Sequence, residues 1–261
     1  MTDRDDLLAF DPSREVVVDP QRLYPRDPRM PAACVLCFFQ DALARRAAAD
    51  GSGELRLLSS EIGDTPVRLV GSGDDAVALV HPGVGAPLLA GILEELIALG
   101  GRRFVVCGGA GALRHDLELG AVVVPDLALR DEGTSAHYLP REQPARPHAD
   151  ALAAITATLR ARAVPFRVGT TWTTDAIYRE TRPRVARRRE QGCLTVEMEV
   201  AAAFAVAEHR AVALSALLYC GDLLGDDEWQ SRGWTTRADI RDRLLDLAIA
   251  AARRIPPGSA P

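Results

Sequence analysis

Two glutamates open an otherwise small and apolar run, and their type and spacing could do chemistry. Glu197 and Glu199 flank Met198 in TVEMEVAAAFAVA, residues 195–207. Acidic side chains are rarely buried without a polar partner, so the pair indicates that a polar group or ligand meets it. Alternatively, both acids lie at a helix N-terminus, where negative charge is favoured by roughly a few tenths of a kcal/mol. The stretch alone leaves both interpretations open.

Two glycine-rich stretches follow apolar runs and offer a second kind of chemistry. Gly83 and Gly85 precede a helical pattern in HPGVGAPLLAGILEELIALG, and Gly108 and Gly109 follow an apolar run in VVCGGAGAL. Backbone amides exposed at such turns can hold an anion without any charged side chain. Either stretch alone is as typical of a tight strand exit, but their occurrence after successive strands favours a ligand site.

The elements that must position these residues alternate between apolar β-type runs and longer helical patterns. Strands are predicted at 34–39, 67–70, 76–81, 103–107, 121–125, 166–169, 194–196 and 212–219, and helices at 41–50, 87–99, 148–163, 199–210 and 235–254. This order predicts an α/β fold with a largely parallel or mixed sheet and helices on both faces. Ligands are then expected at the carboxyl ends of the strands.

Composition divides the chain into one large domain and two irregular ends. Five prolines interrupt residues 1–31, which are expected to form an irregular N-terminal arm. A single α/β domain is expected over 32–255. Residues 256–261, within the sequence IPPGSAP, are expected to form a flexible tail.

Composition and charge exclude several classes of partner. The 261 residues carry a net charge of -5, which leaves no basic surplus for nucleic acid. The apolar runs are too short to span a bilayer and the first ten residues are acidic, which predicts a cytoplasmic protein. Five scattered cysteines do not form a disulfide framework. Cys34 and Cys37 share an apolar strand-like run without a second zinc-spaced pair, so a structural role is favoured over metal or redox chemistry.

Six segments, taken in order, resemble the nucleoside phosphorylase superfamily, whose members cleave purine or pyrimidine nucleosides. They are GVGAPLLAGILEELIALG, GGAGAL, RDEGTSAHY, TWTTDAIY, VEMEVAAAFAVA and CGDLLGDDEW. RDEGTSAHY is most similar to the uridine phosphorylase branch. The resemblance implies a single α/β domain with a twisted mixed central sheet. It also implies a homo-oligomer, a dimer, trimer or hexamer, with sites near subunit contacts.

The resemblance assigns roles around the sugar. Cleavage of an N-glycosidic bond passes through an oxocarbenium-like sugar, so a negative group near the ribose stabilises the transition state. By resemblance, Glu199 accepts the ribose hydroxyl hydrogen bonds and Met198 lies against the sugar ring. Glu197 would sit close to the base and the sugar edge.

The resemblance also implies residues that recognise the base, but different segments indicate different bases. Trp172 matches an aromatic position that stacks on the base in related enzymes. Tyr178 and Arg182 lie near the pyrimidine-reading residues of the uridine-type enzymes, although the glutamine expected between them is absent. Asp222 falls where purine-cleaving members place an acid that protonates the ring, which requires a raised pKa near neutral pH. Asp222 therefore indicates a purine, whereas RDEGTSAHY indicates uridine.

The phosphate site departs from the family pattern. Val106 and Gly109 stand where phosphorylases carry Arg-x-Gly-[Ser/Thr], so one phosphate arginine is missing. Arg26 and Arg29 match the family's second phosphate-binding arginine only loosely. Phosphate would then be held by amides of the glycine stretches, with Arg26 or Arg29 entering from the same or a neighbouring chain. The amides would come from Gly83, Gly85, Gly108 and Gly109.

Three functions follow from these observations. The main prediction is phosphorolysis of a nucleoside to free base and sugar 1-phosphate. Hydrolysis is an alternative, because nucleosidases of the same superfamily also lack these arginines and use water; a weakly active nucleoside-binding protein is a third. The expected partners are a nucleoside and phosphate, the co-substrate, rather than nucleic acid or membrane. No metal or organic cofactor is implied, because carboxylates, oriented amides and the nucleophile supply the chemistry.

Overall fold

A computed structural model describes residues 9–50, 53–226 and 228–259. The α-helices in these ranges are α1 (Pro20–Leu23), α2 (Gln40–Asp50), α3 (Ala86–Leu99), α4 (Ala149–Ala161), α5 (Arg182–Glu190), α6 (Val200–His209) and α7 (Ala238–Arg254). The strands are β1 (Ala33–Cys37), β2 (Glu54–Ser60), β3 (Gly63–Val70), β4 (Val77–Val80), β5 (Arg103–Ala112), β6 (Val122–Asp131), β7 (Phe166–Thr174), β8 (Cys193–Glu197), β9 (Ala213–Leu224) and β10 (Trp229–Gln230). Every helix in the described ranges is too short or too polar to span a bilayer.

The strands form one mixed sheet in the order β10-β9-β6-β7-β8-β5-β1-β4-β3-β2. β1 is parallel to β4 and β5, β5 is parallel to β9, and β7 is parallel to β6 and β8. The other neighbouring pairs are antiparallel. The mixed α/β fold predicted from the sequence is confirmed.

Part of the sheet closes on itself. β9 pairs with β6 and also with β5, while β8 pairs with β7 and, near its end, with β5. β5, β9, β6, β7 and β8 therefore form a closed ring of strands. The last part of β8 lies beside β5, with Val196 opposite Gly111 and Thr195 opposite Ala112. Ring closure thus brings the Glu197 end of β8 to the glycine-rich end of β5.

Helices cover both faces of the sheet, as predicted. α3 and α6 pack together on one face, where the core includes Leu93 and Phe204. α4 and α7 pack on the other face, where the core includes Ile155. Val105 of β5 belongs to the second core and Val106 to the first, since alternate residues of a strand point to opposite faces.

The sequence pattern missed both edge strands of the sheet, β2 and β10, and ended several other strands too early. β2 was not predicted because only Leu55 and Leu58 of this edge strand are buried. β5 continues through Gly108 and Gly109 to Ala112, so these glycines extend a strand instead of forming a loop. The prediction of a glycine loop there was wrong.

The predicted N-terminal arm contains a short helix and reaches the core. The Asp19 carboxylate accepts a hydrogen bond from the Gln21 N–H (2.9 Å) and caps α1. The Asp27 N–H donates to the Leu99 carbonyl (3.0 Å), and Met30 is buried. This part of the arm therefore lies at the carboxyl end of α3. Residues 1–8 of the arm and 260–261 of the tail lie outside the described residues.

Candidate active site

Glu197 ends β8 and turns its carboxylate into the protein. Its Oε1 accepts hydrogen bonds from the hydroxyls of Thr173 (2.6 Å) and Thr171 (3.3 Å). Its Oε2 accepts from the N–H groups of Glu199 and Val200, both at 2.6 Å. Burial, together with the nearby Glu199, raises the pKa of Glu197 to about 8 although these hydrogen bonds oppose the shift. Glu197 therefore caps α6, and both of its oxygens are engaged within the protein instead of being turned to a base or sugar.

This capping role gives a stability prediction. Glu197→Ala leaves two backbone N–H groups and a threonine hydroxyl without their acceptor, which is expected to cost about 2–4 kcal/mol of unfolding free energy. Urea denaturation measures this change. Glu190→Ala, on the exposed end of α5, is the matched control and is expected to change stability by less than about 0.5 kcal/mol. Wild-type stability combined with a large rise in KM for nucleoside would instead assign Glu197 to ligand binding.

Glu199 connects the acidic motif to the first glycine loop. Its Oε1 accepts a hydrogen bond from the Gly85 N–H at 2.6 Å, and its Oε2 accepts one from the Met198 N–H at 3.2 Å. The side chain is 7% exposed, and burial raises its pKa to about 7 against the effect of these bonds. Met198 is half-buried beside it. Two features that the sequence suggested separately, 114 residues apart, therefore form one site.

The loop before α3 has both of its predicted anion-binding amides occupied. The Gly83 N–H donates to His81 Nδ1 at 3.1 Å, and the Gly85 N–H donates to Glu199. Gly83 adopts φ 77°, and a Cβ there would lie 2.0 Å from the Leu88 side chain, so only glycine fits. Phosphate can therefore use these amides only when His81 and Glu199 withdraw.

Aromatic side chains adjoin the strand glycines where the resemblance expects an arginine. Val106 is fully buried in β5. A Cβ on Gly108 would lie 3.0 Å from the Phe38 ring, and the Phe38 ring meets that of His81 edge-on at 6.3 Å. A Cβ on Gly109 would lie 3.3 Å from Tyr219. Burial lowers the pKa of His81, which favours the neutral imidazole at pH 7. This wall of the site is therefore aromatic, and Arg241 lies close enough to Tyr219 to oppose the rise in the pKa of Tyr219 that burial causes.

Arg26 and Arg29 lie at the wrong end of α3 to serve this loop in the same chain. Arg29 pairs with Asp27 at 2.7 Å, and Asp27 is bonded to Leu99 at the end of α3. The Arg26 side chain lies near Gly100. The 14 residues of α3 separate this end from the glycine loop by roughly 21 Å. The prediction that either arginine enters from the same chain was wrong; entry from a neighbouring chain stays a prediction.

Trp172 is a core residue, which contradicts its predicted role in base stacking. The side chain is 0% exposed and packs with Leu113 and Val185 among others. Its indole N–H donates to Asp131 Oδ2 at 2.9 Å, and the Arg188 guanidinium lies 5.4 Å from the ring centroid. Both ring faces are therefore used within the protein. Strand alternation in β7 puts Trp172 on the face opposite Thr171 and Thr173, whose hydroxyls meet Glu197, and the sequence alone did not show which face carries the site.

The other residues implied in base recognition lie near the surface. Tyr178 is 95% exposed on the short 3-10 turn Ile177–Arg179, and Arg182 is exposed at the start of α5. Asp222 is half-buried near the end of β9, where its Oδ2 accepts a hydrogen bond from Trp229 Nε1 at 2.6 Å. The structure therefore orients Asp222 through a residue on β10 that the sequence analysis did not single out.

The uridine-like segment RDEGTSAHY is held in place by hydrogen bonds from its own first residue, Arg130. Arg130 donates to the Ser135 hydroxyl (2.8 Å) and to the carbonyl oxygens of Leu139 (2.9 Å), Pro140 (2.5 Å) and Gln143 (2.8 Å). These bonds fix the loop that follows β6. Because the Arg130 guanidinium donates its hydrogen bonds within this loop, the segment has a structural role. It does not by itself indicate which base is bound.

Besides Trp229, sequence reasoning missed two residues beside the glycine stretches. His81 and Phe38 both follow buried strands, and the rule that ligand sites lie at carboxyl ends of strands could have found them. Glu180 is half-buried in the segment after β7, between the two residues implied in base reading. Within the described ranges, no group of three or more His, Cys, Asp or Glu is arranged to hold a metal ion. Together these features define an α/β protein with a polar site at the ends of its strands.

Comparison with known proteins gives the family. A profile of the Phosphorylase superfamily matches residues 41–254, and the chain belongs to that superfamily. It is 36% identical to a guanosine phosphorylase of Halorubrum lacusprofundi over 141 residues, covering 54% of this chain and 58% of that protein. The match thus spans less than two thirds of that relative.

Two further proteins extend the comparison. A uridine phosphorylase of Treponema pallidum is 32% identical over 187 residues, 67% of this chain and 70% of that protein. An AMP nucleosidase structure from Bacteroides thetaiotaomicron superimposes with a TM-score of 0.70 and 24% identity, over 85% of this chain and 87% of that one. The fold is therefore shared by proteins named as phosphorylases and as a nucleosidase.

Proposed function

We propose that this protein cleaves the N-glycosidic bond of a nucleoside with phosphate, giving free base and sugar 1-phosphate. The contact between Glu199 Oε1 and the Gly85 N–H carries this proposal, because it joins the acid that would bind the ribose to the loop whose amides would hold phosphate. The phosphorylase names of the related proteins support the same reaction. A carboxylate near C1′ stabilises the positive charge that develops on the sugar as the bond breaks.

Hydrolysis of the same bond is a second candidate. The observation that favours it is that Val106 is buried where a phosphorylase carries arginine, and that the Phe38 ring lies beside Gly108. Phosphate capture usually recruits arginine, since a hydrogen bond to a charged group is worth about 1.5–3 kcal/mol. Water needs no such group.

The proposal also covers the cofactors, the oligomeric state, the partners and the location of the protein. Carboxylates, amides and the nucleophile supply the chemistry, so inorganic phosphate is a co-substrate and no metal or organic cofactor takes part. A homo-oligomer fits the exposed apolar side chains of Val84 on the glycine loop and Ile177 near the base-reading segment, which are 65% and 52% exposed. A nucleoside and phosphate are the partners, without nucleic acid or membrane. The proposed location is the cytoplasm.

Release of free base from a nucleoside panel tests the function. Purine and pyrimidine ribosides and 2′-deoxyribosides are incubated with the protein, and free base is quantified by liquid chromatography. We expect release from at least one class, and a matched Glu199→Gln preparation is expected to release base more than about tenfold more slowly. If no member of the panel loses its base, the proposed function is wrong.

The ionisation of Glu199 predicts the acidic side of the pH profile. Burial raises the pKa of Glu199 to about 7, so the carboxylate forms above this pH and the acid form dominates below it. Because the carboxylate accepts ribose hydroxyl hydrogen bonds and stabilises positive charge, kcat/KM is expected to rise with pH through about 7. Glu199→Gln removes this limb. A wild-type profile that is flat from pH 5 to 8 would contradict the assignment.

A further inference from the structure

His81 follows β4 and holds one amide of the glycine loop before α3. Its Nδ1 accepts a hydrogen bond from the Gly83 N–H at 3.1 Å. Because a backbone N–H can only donate, this ring nitrogen carries no proton and the imidazole is neutral. The other amide of this loop, that of Gly85, donates to Glu199 Oε1 at 2.6 Å. Of the two side chains that hold these amides, His81 is the one that becomes a cation when it gains a proton.

His81 lies close to the place where the family resemblance expects an arginine. β4, β1 and β5 are neighbouring parallel strands, so their carboxyl ends lie at the same edge of the sheet. The Phe38 ring, after β1, meets the imidazole edge-on at 6.3 Å, and a Cβ on Gly108 of β5 would lie 3.0 Å from that ring. Gly109 is exposed, which leaves open space at this end of β5, whereas Val106 is buried. A single aromatic ring therefore separates His81 from the strand glycines.

The elements around His81 carry ionisable groups of both signs. Glu199, at the start of α6, bonds to the same loop, and Arg68 of β3 pairs opposite β4. β1 ends beside His81 with Cys37 and Phe38, and the first turn of α3 carries no acidic residue. Burial lowers the pKa of His81, and backbone groups of Phe38 and His81 itself oppose this effect. A dianion held at the loop would add negative charge next to the imidazole and favour its protonated form.

We propose that His81 binds the phosphate nucleophile as an imidazolium and takes the place of the missing arginine. This rests on the proposed phosphorolysis. When phosphate enters as the monoanion H₂PO₄⁻, its proton moves to Nδ1 of His81, which leaves HPO₄²⁻ beside the imidazolium. The protonated Nδ1 no longer accepts from the Gly83 N–H, so both groups donate to the anion. The 3.1 Å contact between them is thus the resting arrangement of the site, exchanged for two bonds to phosphate.

Anion binding tests this assignment without any catalysis. Sulfate is the probe, because it is a tetrahedral dianion with no proton to give near neutral pH. The proton that His81 takes up must then come from the buffer. Isothermal titration calorimetry near pH 7.5, in two buffers of different ionisation enthalpy, measures this uptake. The wild-type protein is expected to take up roughly 0.5–1 proton per sulfate bound.

His81→Asn separates the charge from the loop contact. An asparagine side chain can still accept from the N–H two residues on, but it cannot take up a proton. The variant is expected to bind sulfate and phosphate about tenfold or more weakly and to lose the proton uptake. His148→Asn is the matched control, because His148 Nδ1 accepts from the Asp150 N–H at 3.3 Å at the start of α4, on the other face of the sheet. It is expected to leave both the affinity and the uptake unchanged.

Glu199→Gln shows which group takes up the proton. Glu199 lies on the same loop and its glutamine variant does not titrate, so the uptake is expected to remain in Glu199→Gln. Uptake that is lost in Glu199→Gln and kept in His81→Asn would overturn the proposal, as would unchanged phosphate affinity in a folded His81→Asn. Sulfate binding by the wild-type protein without proton uptake overturns it with no variant at all. These results leave phosphorolysis standing, whereas a wild-type protein that releases base but binds neither anion refutes phosphorolysis as well.

Discussion

Glu199→Ala is expected to lower kcat/KM by at least about 100-fold and, at the same time, to strengthen phosphate binding in the absence of nucleoside. The first effect follows because the variant loses the negative charge that opposes the developing oxocarbenium ion. The second follows because the Gly85 N–H, now bonded to Glu199 Oε1 at 2.6 Å, becomes available to an anion. A freed charge-assisted hydrogen bond is expected to lower the Kd for phosphate by about threefold or more.

The loss of activity and the stronger phosphate binding together predict that nucleoside and phosphate binding are coupled. When ribose hydroxyls engage the Glu199 carboxylate, the same amide is released, so nucleoside and phosphate should bind with positive coupling, and the coupling must be reciprocal. Isothermal titration calorimetry with phosphate, with and without a non-cleavable nucleoside analogue, measures it. Glu199→Gln is the matched control, because its amide oxygen still accepts from Gly85 while its charge is gone. An unchanged or weaker phosphate affinity in Glu199→Ala would show that the Gly85 amide does not serve phosphate.

Trp172→Ala is expected to cost about 3–5 kcal/mol of unfolding free energy, a large effect for a single substitution in this chain. The variant loses a fully buried indole, its hydrogen bond to Asp131 and its contact with the Arg188 guanidinium. Equilibrium denaturation in urea measures the loss. The size of this effect follows from the cavity that a fully buried large side chain leaves behind.

A conservative variant separates packing from base recognition. Trp172→Phe keeps most of the buried volume but leaves Asp131 with Arg188 and Arg184 as its described partners, so a loss of about 1–2 kcal/mol is expected. The KM for nucleoside is expected to stay within about twofold of wild type. A KM that rises tenfold in a stable Trp172→Phe protein would restore the base-stacking role and refute the buried assignment.

Local patterns predicted much of the fold because the chain obeys simple rules. α3 begins after a glycine with proline in its first turn and ends at Gly100, and the sequence predicted this helix within one residue. α6 was predicted within one residue at each end because its apolar run is nearly continuous. Closure of the strand ring was not predictable, because the pairing of β9 with both β5 and β6 depends on sheet curvature and not on residue periodicity.

The candidate site was predicted less completely, for physical reasons that differ between residues. The role proposed for Glu199 came from the family resemblance, whereas its partner Gly85 lies 114 residues away and no local pattern links the two. Both acids lie at the N-terminus of α6, as the alternative interpretation expected. Glu199 is the N-cap residue and Glu197 accepts hydrogen bonds from the first backbone N–H groups, while the Glu199 side chain also meets the glycine loop. The prediction for Trp172 was wrong because both faces of this part of β7 are buried, and strand alternation does not show which face carries the site.

The identity of the sugar product tests the central claim most directly. The nucleoside that loses its base is incubated with the protein in ¹⁸O-labelled water, with and without inorganic phosphate, and the sugar is analysed by mass spectrometry. The account predicts unlabelled sugar 1-phosphate, formed at a rate that rises with phosphate to saturation. Free sugar carrying ¹⁸O at C1′, formed at the same rate without phosphate, would contradict phosphorolysis and assign the protein as a hydrolase.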